Sequence, residues 1–329
     1  MKVFRTLAEL IAEKRAVDLA IGVFDGVHLG HQRVIRQACE EAHSTGGLAV
    51  ALTFDPHPIR VLRPDQAPAL LTSTPHKLAL LQQQGLDACL LIHFDQAFAA
   101  TTAEEFIAQI AFCRHVSVGT RFHFGHKRTG SPALLAQLAP RYGFGVTEIK
   151  PVLTAAGEMI SSTAVRQHIQ AGNLDRAAAM LGRPFSILGT VEKGDGVGRQ
   201  LGFPTANVNS HHEAFPPDGV YACQVRIVER ASRPLLPTEN GRDARSTTQL
   251  FSGIANLGRR PTFSKRSHQQ ILEVHLLDFN RDIYGQEIEV IFVSKLRNEQ
   301  KFESISALKT QIASDSVAAR KLTGTCRQL

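Results

Sequence analysis

The chain has 329 residues, a formal net charge of +7 and a pI near 9.3. That length exceeds one ordinary hydrophobic core and predicts two domains. The apolar fraction of 43% and charged fraction of 20% exclude a disordered or collagen-like chain. Lys and Arg are scattered, with no dense run, so the charge points to small anionic substrates rather than nucleic acid. The five cysteines, Cys39, Cys89, Cys113, Cys223 and Cys326, are far apart and never form a Cys-x-x-Cys pair. This argues against a zinc site or a disulfide framework and for a reducing compartment. The N-terminal stretch lacks a signal peptide's apolar core, and no apolar run approaches the ~20 residues of a membrane span. A cytoplasmic protein without a membrane partner is expected.

In chain order, Asp18 to Phe24 reads as a strand and His31 to Ser44 as a helix ended by Gly46-Gly47. Leu48 to Phe54 is a second strand. Thr74-Pro75 opens a helix, with a cap and a proline at its first position, and Gly85 closes it. Ala88 to Phe94 is a third strand, Thr102-x-x-Glu105 a capping box, His115 to Val118 a fourth strand and Phe144 to Ile149 a fifth. Strands alternating with helices predict an α/β domain, a doubly wound parallel sheet with helices on both faces and ligands beyond the strands' carboxyl ends. Near Gly182-Arg183-Pro184 the texture changes. Strand-like runs then follow one another at 185–192, 220–228, 250–257, 270–279 and 287–293, before a helix over 304–312. This predicts a small antiparallel β-barrel with a terminal helix. The domains are accordingly placed at 1–183 and 184–329. Residues 229–249, polar and without periodicity, read as a long exposed loop between barrel strands.

Residues 22–31, Gly-Val-Phe-Asp-Gly-Val-His-Leu-Gly-His, follow the first strand and open the next helix. His28 and His31 can both face a triphosphate there, with the helix dipole and free N–H groups adding positive potential. Gly26 and Gly30 let the backbone approach phosphates closely. In-line nucleotidyl transfer needs charge stabilised on the α-phosphate and the departing pyrophosphate, and no covalent intermediate. Taken alone, a His-x-x-His reads as a helix cap and a surface residue. Gly22, Phe24, Asp25 and Gly26 before it reverse that balance. His57, fixed between Pro56 and Pro58, suits a phosphate-facing imidazole, or simply a rigid loop. Ser161-Ser162-Thr163-x-x-Arg166 sets hydroxyls, N–H groups and a guanidinium at a helix start.

These motifs, with Thr53-Phe54-x-Pro56-His57-Pro58, resemble the bacterial bifunctional riboflavin kinase/FMN adenylyltransferases, or FAD synthetases. The resemblance continues through Gly202-Phe203-Pro204-Thr205-Ala206-Asn207, Asn256-x-Gly258-x-Arg260-Pro261-Thr262-Phe263 and Glu273-x-His275-x-x-Asp278-Phe279, covering about residues 15–315. It implies a nucleotidyltransferase-like first domain that adenylylates FMN with ATP. Gly22, Phe24, Asp25, Gly26, Gly30, His57, Ser161, Ser162, Thr163 and Arg166 would bind ATP there, with His28 and His31 catalytic. It implies a kinase barrel in which Gly194, Gly196, Gly198, Arg199, Gly202, Pro204, Thr205, Asn207 and Arg297 contact ATP or flavin. Thr205 and Asn207 would hold Mg²⁺, and Glu273 would act as the base for riboflavin's hydroxyl. The implied partners are small molecules: riboflavin, FMN and ATP. A monomer or a weak homo-oligomer fits equally.

One position departs from the family pattern. Gly119-Thr120-Arg121-Phe122-His123-Phe124-Gly125 carries Arg121 where a short acidic or amide side chain is usual. A guanidinium is longer and always charged. It binds the FMN phosphate or crowds flavin or adenosine, and altered adenylyl transfer with unaffected kinase activity is expected. Two rivals to the bifunctional reading follow: a kinase with an impaired adenylyltransferase domain, and a flavin or nucleotide sensor without chemistry. Intact His28, His31 and Glu273 argue against the sensor. For crowding, the expected outcome is faster FAD formation when Arg121 becomes Asp or Asn. Slower FAD formation refutes crowding.

Overall fold

The computed structural model describes residues 1–194, 198, 201–210, 213–228, 249–259 and 270–324. The chain divides into two compact units, Met1–Gln167 with Ala179–Gly182, and His168–Ala178 with Arg183–Leu329. The division therefore falls within the two helices Ser162–Gln170 (α8) and Leu174–Leu181 (α9).

The first unit holds six parallel strands: β1 (Lys2–Phe4), β2 (Val17–Ile21), β3 (Leu48–Asp55), β4 (Ala88–His93), β5 (His115–Gly119) and β6 (Gly145–Ile149). Their order is β1-β4-β3-β2-β5-β6, all neighbours parallel. The sequence predicts five of them and misses β1, whose three residues are too short to show a period. The pleat sorts the side chains. Leu48, Val50, Leu52 and Phe54 of β3 join a core with Phe106 of α6 (Ala103–Gln109) and Leu135 of α7 (Pro132–Tyr142). Ala49 and Ala51 join the opposite core with Ala20 and with Val34, Ile35, Ala38 and Ala42 of α2 (Leu29–Ser44). Those four recur at helical spacing, and the small strand residues admit the helix close to the sheet. Helices thus cover both faces, as predicted.

Of the local signals, the Thr102–Glu105 capping box forms in full. The helix expected at Thr74 instead has Ser73 at its N-cap and spans Thr74–Gln82 (α4). The Thr74 hydroxyl donates to Asp55 Oδ1 at 2.8 Å rather than capping. A tertiary partner outbid the local one.

The second unit is a closed barrel, β10-β11-β8-β7-β12-β9, every pair antiparallel. Its strands are β7 (Ser186–Glu192), β8 (Ala206–Asn209), β9 (Gly219–Val228), β10 (Leu250–Arg259), β11 (Gln270–Leu276) and β12 (Glu287–Arg297). Strand β8 is four residues behind Pro204 and shows no apolar run, so the sequence does not announce it. The terminal helix Ile305–Gly324 runs well beyond the expected 304–312 and packs on β9, β10 and β12. Residues 229–248, most of the expected loop, lie outside the described residues, as does Cys326. The other four cysteines are free and buried.

An ion pair on a buried carboxylate braces the first unit. Asp18 of β2 is fully buried, and Arg114 closes on it through Nη2–Oδ2 at 2.6 Å and Nε–Oδ1 at 3.2 Å. Arg114 also donates to the Glu41 carbonyl at 2.7 Å. Arg114→Ala leaves the carboxylate buried and unpaired, which costs about 3–5 kcal/mol. A matching fall in the denaturant midpoint of the first unit is the expected result, and a change below ~1 kcal/mol, the scale of an exposed pair, contradicts it.

Candidate active sites

In the first unit the strand order reverses between β2 and β5, which opens a crevice at their carboxyl ends. The loop after β2 lies there. It enters with Phe24, Gly26 and Val27 at φ of 53°, 82° and 39°, a left-handed course that Phe24 and Val27 hold by being fully buried. At Gly26 any side chain would also strike Leu71, and at Gly30 it would press on the His28 ring. The chain then enters α2, with His28 as its N-cap. His28 Nδ1 accepts from the His31 N–H at 3.3 Å. The two imidazoles stack 3.6 Å apart, and Phe24 meets His31 edge-on. Burial, then His28 and Lys77, hold His31 well below the usual imidazole range. Its Nδ1 is buried with no hydrogen-bond partner among the described residues. A helix N-terminus that carries a buried, neutral imidazole favours an anion.

The exits of β3 and α4 contribute the next wall. His57 caps a short helix, Pro58–Leu62, by accepting from the Ile59 N–H at 3.2 Å. Burial, assisted by Lys77, Arg166 and Arg60, lowers its pKa to about 4. A cavity of about 10 Å³, room for roughly one water, is lined by Val23, Asp25, His57, Leu70, Thr72, Thr74 and Lys77. The sequence gives Lys77 no role. Its signal is there in retrospect, a lone lysine on the apolar face that carries Leu80 and Leu81.

Asp25 and Arg166 meet inside the loop cluster. Arg166 Nη2 lies 2.7 Å from Asp25 Oδ2, its Nε donates to the Ala69 carbonyl and its Nη1 to the Ser162 carbonyl. Asp25 Oδ1 also accepts from the N–H groups of Leu71 and Thr72. Burial pushes the Asp25 carboxyl up from its usual value, while Arg166 and those N–H groups pull it down. Ser161 caps α8 by accepting from the Ala164 N–H, and the Ser162 hydroxyl donates to the Asp25 carbonyl. Thr163 is exposed. Of this motif the structure therefore ties Ser161, Ser162 and Arg166 into the scaffold and leaves Thr163 outward. Arg121 is exposed just beyond β5, and its guanidinium has no ion-pair partner among the described residues.

In the barrel, Glu273 stands in register with Asn207 on β8 and Asn256 on β10. Leu272 and Val274 are fully buried inside, so Glu273 and its two cross-strand neighbours share the outer face. His275, two residues on, lies with Nδ1 2.8 Å from the Pro204 carbonyl and its ring edge-on to Phe203. Gly194 packs so tightly on the Asn207 amide, and Gly198 on the Thr205 hydroxyl and Phe203 carbonyl, that a side chain at either would collide. Gly202 is left-handed at φ 92°. The structure thus brings Gly194, Gly198, Thr205, Asn207 and Glu273 together. Arg297 is engaged with the terminal helix. Its guanidinium grips Asp315 of the terminal helix, Nη2–Oδ2 2.9 Å, and lies over Phe302. Gly196, Arg199 and residues 260–263 lie outside the described residues. Sequence reasoning gave Glu299 no role, although it packs against Gly258 and accepts from the Asn256 amide at 3.5 Å.

Asn207, in register with Glu273, and Thr205 two residues before it offer neutral oxygens, donors that suit Mg²⁺ in company with phosphate oxygens. Among the described residues no cluster of three His, Cys, Asp or Glu side chains forms a cage that could hold a metal without phosphates.

Known proteins place this geometry. A family model for FAD synthetase matches residues 10–164, and one for riboflavin kinase matches residues 181–323. A bifunctional riboflavin kinase/FMN adenylyltransferase of Escherichia coli (strain K12) is 39% identical over 329 residues, covering 98% of each chain. Its namesake in Haemophilus influenzae is 38% identical over 306 residues and covers 92% of each. A crystal structure described as a macrolide-efflux protein from Streptococcus pneumoniae superposes with a TM-score of 0.74 at 29% identity, over 93% of this chain and 94% of that one. That description concerns the other protein. Among the described residues here no helix is long and apolar enough to cross a membrane. Two family models in tandem, and relatives matched over nearly their whole length, show that the chain belongs to the bifunctional riboflavin kinase/FMN adenylyltransferase family.

Proposed function

We propose that the barrel unit phosphorylates riboflavin to FMN and that the first unit adenylylates FMN to FAD, both with ATP. The observation that carries the second assignment is the His28–His31 stack at the N-terminus of α2, facing the crevice between β2 and β5. The FMN phosphate is already ionised and attacks the α-phosphorus of ATP in line. The bond to the β-phosphate oxygen breaks, and pyrophosphate leaves. The chain needs no base for this step. His28, His31 and the α2 N-terminus meet the charge that grows on the α-phosphate and on the leaving group. His57 borders the same crevice from β3. Asp25, Arg166, Ser161 and Ser162 position the loops, and Gly22, Gly26 and Gly30 leave room for Phe24, Leu71 and the His28 ring to pack against that turn. Thr163, exposed at the start of α8, is free to donate to a phosphate oxygen.

In the barrel, Glu273 accepts the proton of riboflavin's terminal hydroxyl as that oxygen attacks the γ-phosphorus, and ADP leaves. Thr205 and Asn207 would hold Mg²⁺, which when bound neutralises the phosphate charge of ATP. The Gly194 and Gly198 backbone lies against those two side chains. Arg297 acts through the terminal helix rather than on ligand. The substrates are small molecules, the compartment is the cytoplasm, and a monomer or weak homo-oligomer suffices.

Incubation of the purified protein with riboflavin, ATP and Mg²⁺, followed by chromatography of the flavins, yields FMN and FAD on this reading. Unchanged riboflavin refutes it, and FMN alone supports the impaired-adenylyltransferase rival. Glu273→Ala is expected to slow FMN formation by about 10²–10⁴-fold and to leave FAD formation from supplied FMN intact. Loss of both activities in a folded variant contradicts independent sites.

A further inference from the structure

Lys77 is 5% exposed on α4, where a leucine or methionine would fill the same gap at less cost. Its ammonium donates to the Phe54 carbonyl at 3.0 Å, the Thr53 hydroxyl oxygen at 3.3 Å and the Val23 carbonyl at 3.4 Å. The Thr53 hydroxyl in turn donates to the Val23 carbonyl at 3.0 Å. One amine therefore spans two strand exits. Val23 begins the loop that delivers His28 and His31, and Phe54 begins the loop that delivers His57. Among the described residues no carboxylate closes an ion pair with the ammonium: Asp25 is held by Arg166, and Asp25 and Asp55 act on the amine only from farther off. The charge lies in the floor of the small cavity whose wall includes His57.

We propose that Lys77 is a positioning residue for adenylyl transfer: its amine clamps the exits of β2 and β3 at a fixed spacing and sets a cationic group beneath the triphosphate. The proposal rests on the reading of this crevice as the adenylyltransferase centre. It differs from the roles of His28, His31 and His57 because the amine is buried under the loops and acts through them. A positive charge already in place, aimed where negative charge develops, costs no reorganisation during the reaction.

The surroundings bear the mark of such a charge. The titratable groups facing Lys77 are Cys89 of β4, Asp25 of the β2 loop, Asp55 and His57 at the β3 exit, and His31 of α2. Burial lowers the Lys77 pKa, and Cys89, Asp25 and Asp55 oppose that fall. Cys89 is itself pushed up to about 12 and stays a neutral thiol. Lys77 helps hold both His31 and His57 neutral after burial has done most of that work.

Three substitutions separate clamp from charge. Lys77→Arg keeps the charge, Lys77→Gln keeps a donor for the carbonyls but no charge, and Lys77→Met loses both. The rate of FAD formation from FMN is read beside riboflavin phosphorylation in the same full-length protein, with the His57 ring-proton titration followed by NMR. Lys77→Met is expected to lower kcat/KM for adenylyl transfer by about 10²-fold while the kinase rate stays within about twofold of the parent. In both neutral variants the His57 midpoint rises from about 4 toward the ordinary imidazole value, so the acid limb of FAD formation moves to higher pH. Lys77→Arg leaves that midpoint in place. A merely structural lysine would move stability and leave the titration alone. Should Lys77→Met fail to fold, Lys77→Gln and the titration decide. An unmoved His57 midpoint in the folded neutral variants overturns the proposal, as does FAD formation within about twofold of the parent. A parent protein that makes FMN but no FAD overturns the site assignment instead, and the His57 midpoint still decides whether Lys77 supplies the charge.

Discussion

The Asp25 carboxylate lies 4% exposed where three separate stretches of chain converge, and the loops of the first candidate site are arranged around it. Its two oxygens take the Arg166 guanidinium from α8 and the N–H groups of Leu71 and Thr72, while its backbone carbonyl takes the Ser162 hydroxyl. A buried carboxylate with fewer partners would be expensive, so the pairing sets the loop geometry closely. Gly26, next in sequence, turns left-handed and brings the chain to His28. The helix N-terminus, the stacked imidazoles and the start of α8 thus share one internal anchor. Arg166 looks like a phosphate ligand in the sequence, yet most of its bonding is spent inward.

The barrel reaches a comparable end by different means. There the cross-strand register, rather than a buried ion pair, sets Asn207, Glu273 and Asn256 in one row on the outer face. Glycines at 194 and 198 let the neighbouring loop lie directly on Asn207 and Thr205. Strand pairing fixes positions along a ladder without a dedicated polar core, which suits a site built from neutral oxygens and one carboxylate. The Arg297–Asp315 pair secures the terminal helix to the barrel wall from outside that row.

Where sequence sufficed, the signal was local. The Thr102–Glu105 box, the apolar strands β2 to β6 and the helix read over His31 to Ser44 are short-range patterns, and each is present. The motif over 22–31 was legible because glycine spacing and a helix start are local too. What stayed hidden depends on contacts far apart in the chain. Lys77 meets Val23 across 54 residues, and Arg166 meets Asp25 across 141. No periodicity encodes such meetings, so the lysine passed as an ordinary helix residue and the arginine as an anion ligand. Strands β1 and β8 were lost to length, at three and four residues. Which face of β11 carries Glu273 was open until the burial of Leu272 and Val274 settled it.

The central claim is that a buried carboxylate organises adenylyl transfer in the first unit without serving the barrel. The most direct measurement is the pair of rates in Asp25→Asn, which keeps the size of the side chain and removes its charge. FAD formation from FMN falls by about 10²-fold, the cost of ångström-scale misplacement, while riboflavin phosphorylation continues at the parent rate. Unchanged FAD formation, or equal loss of both rates in a folded protein, contradicts the account.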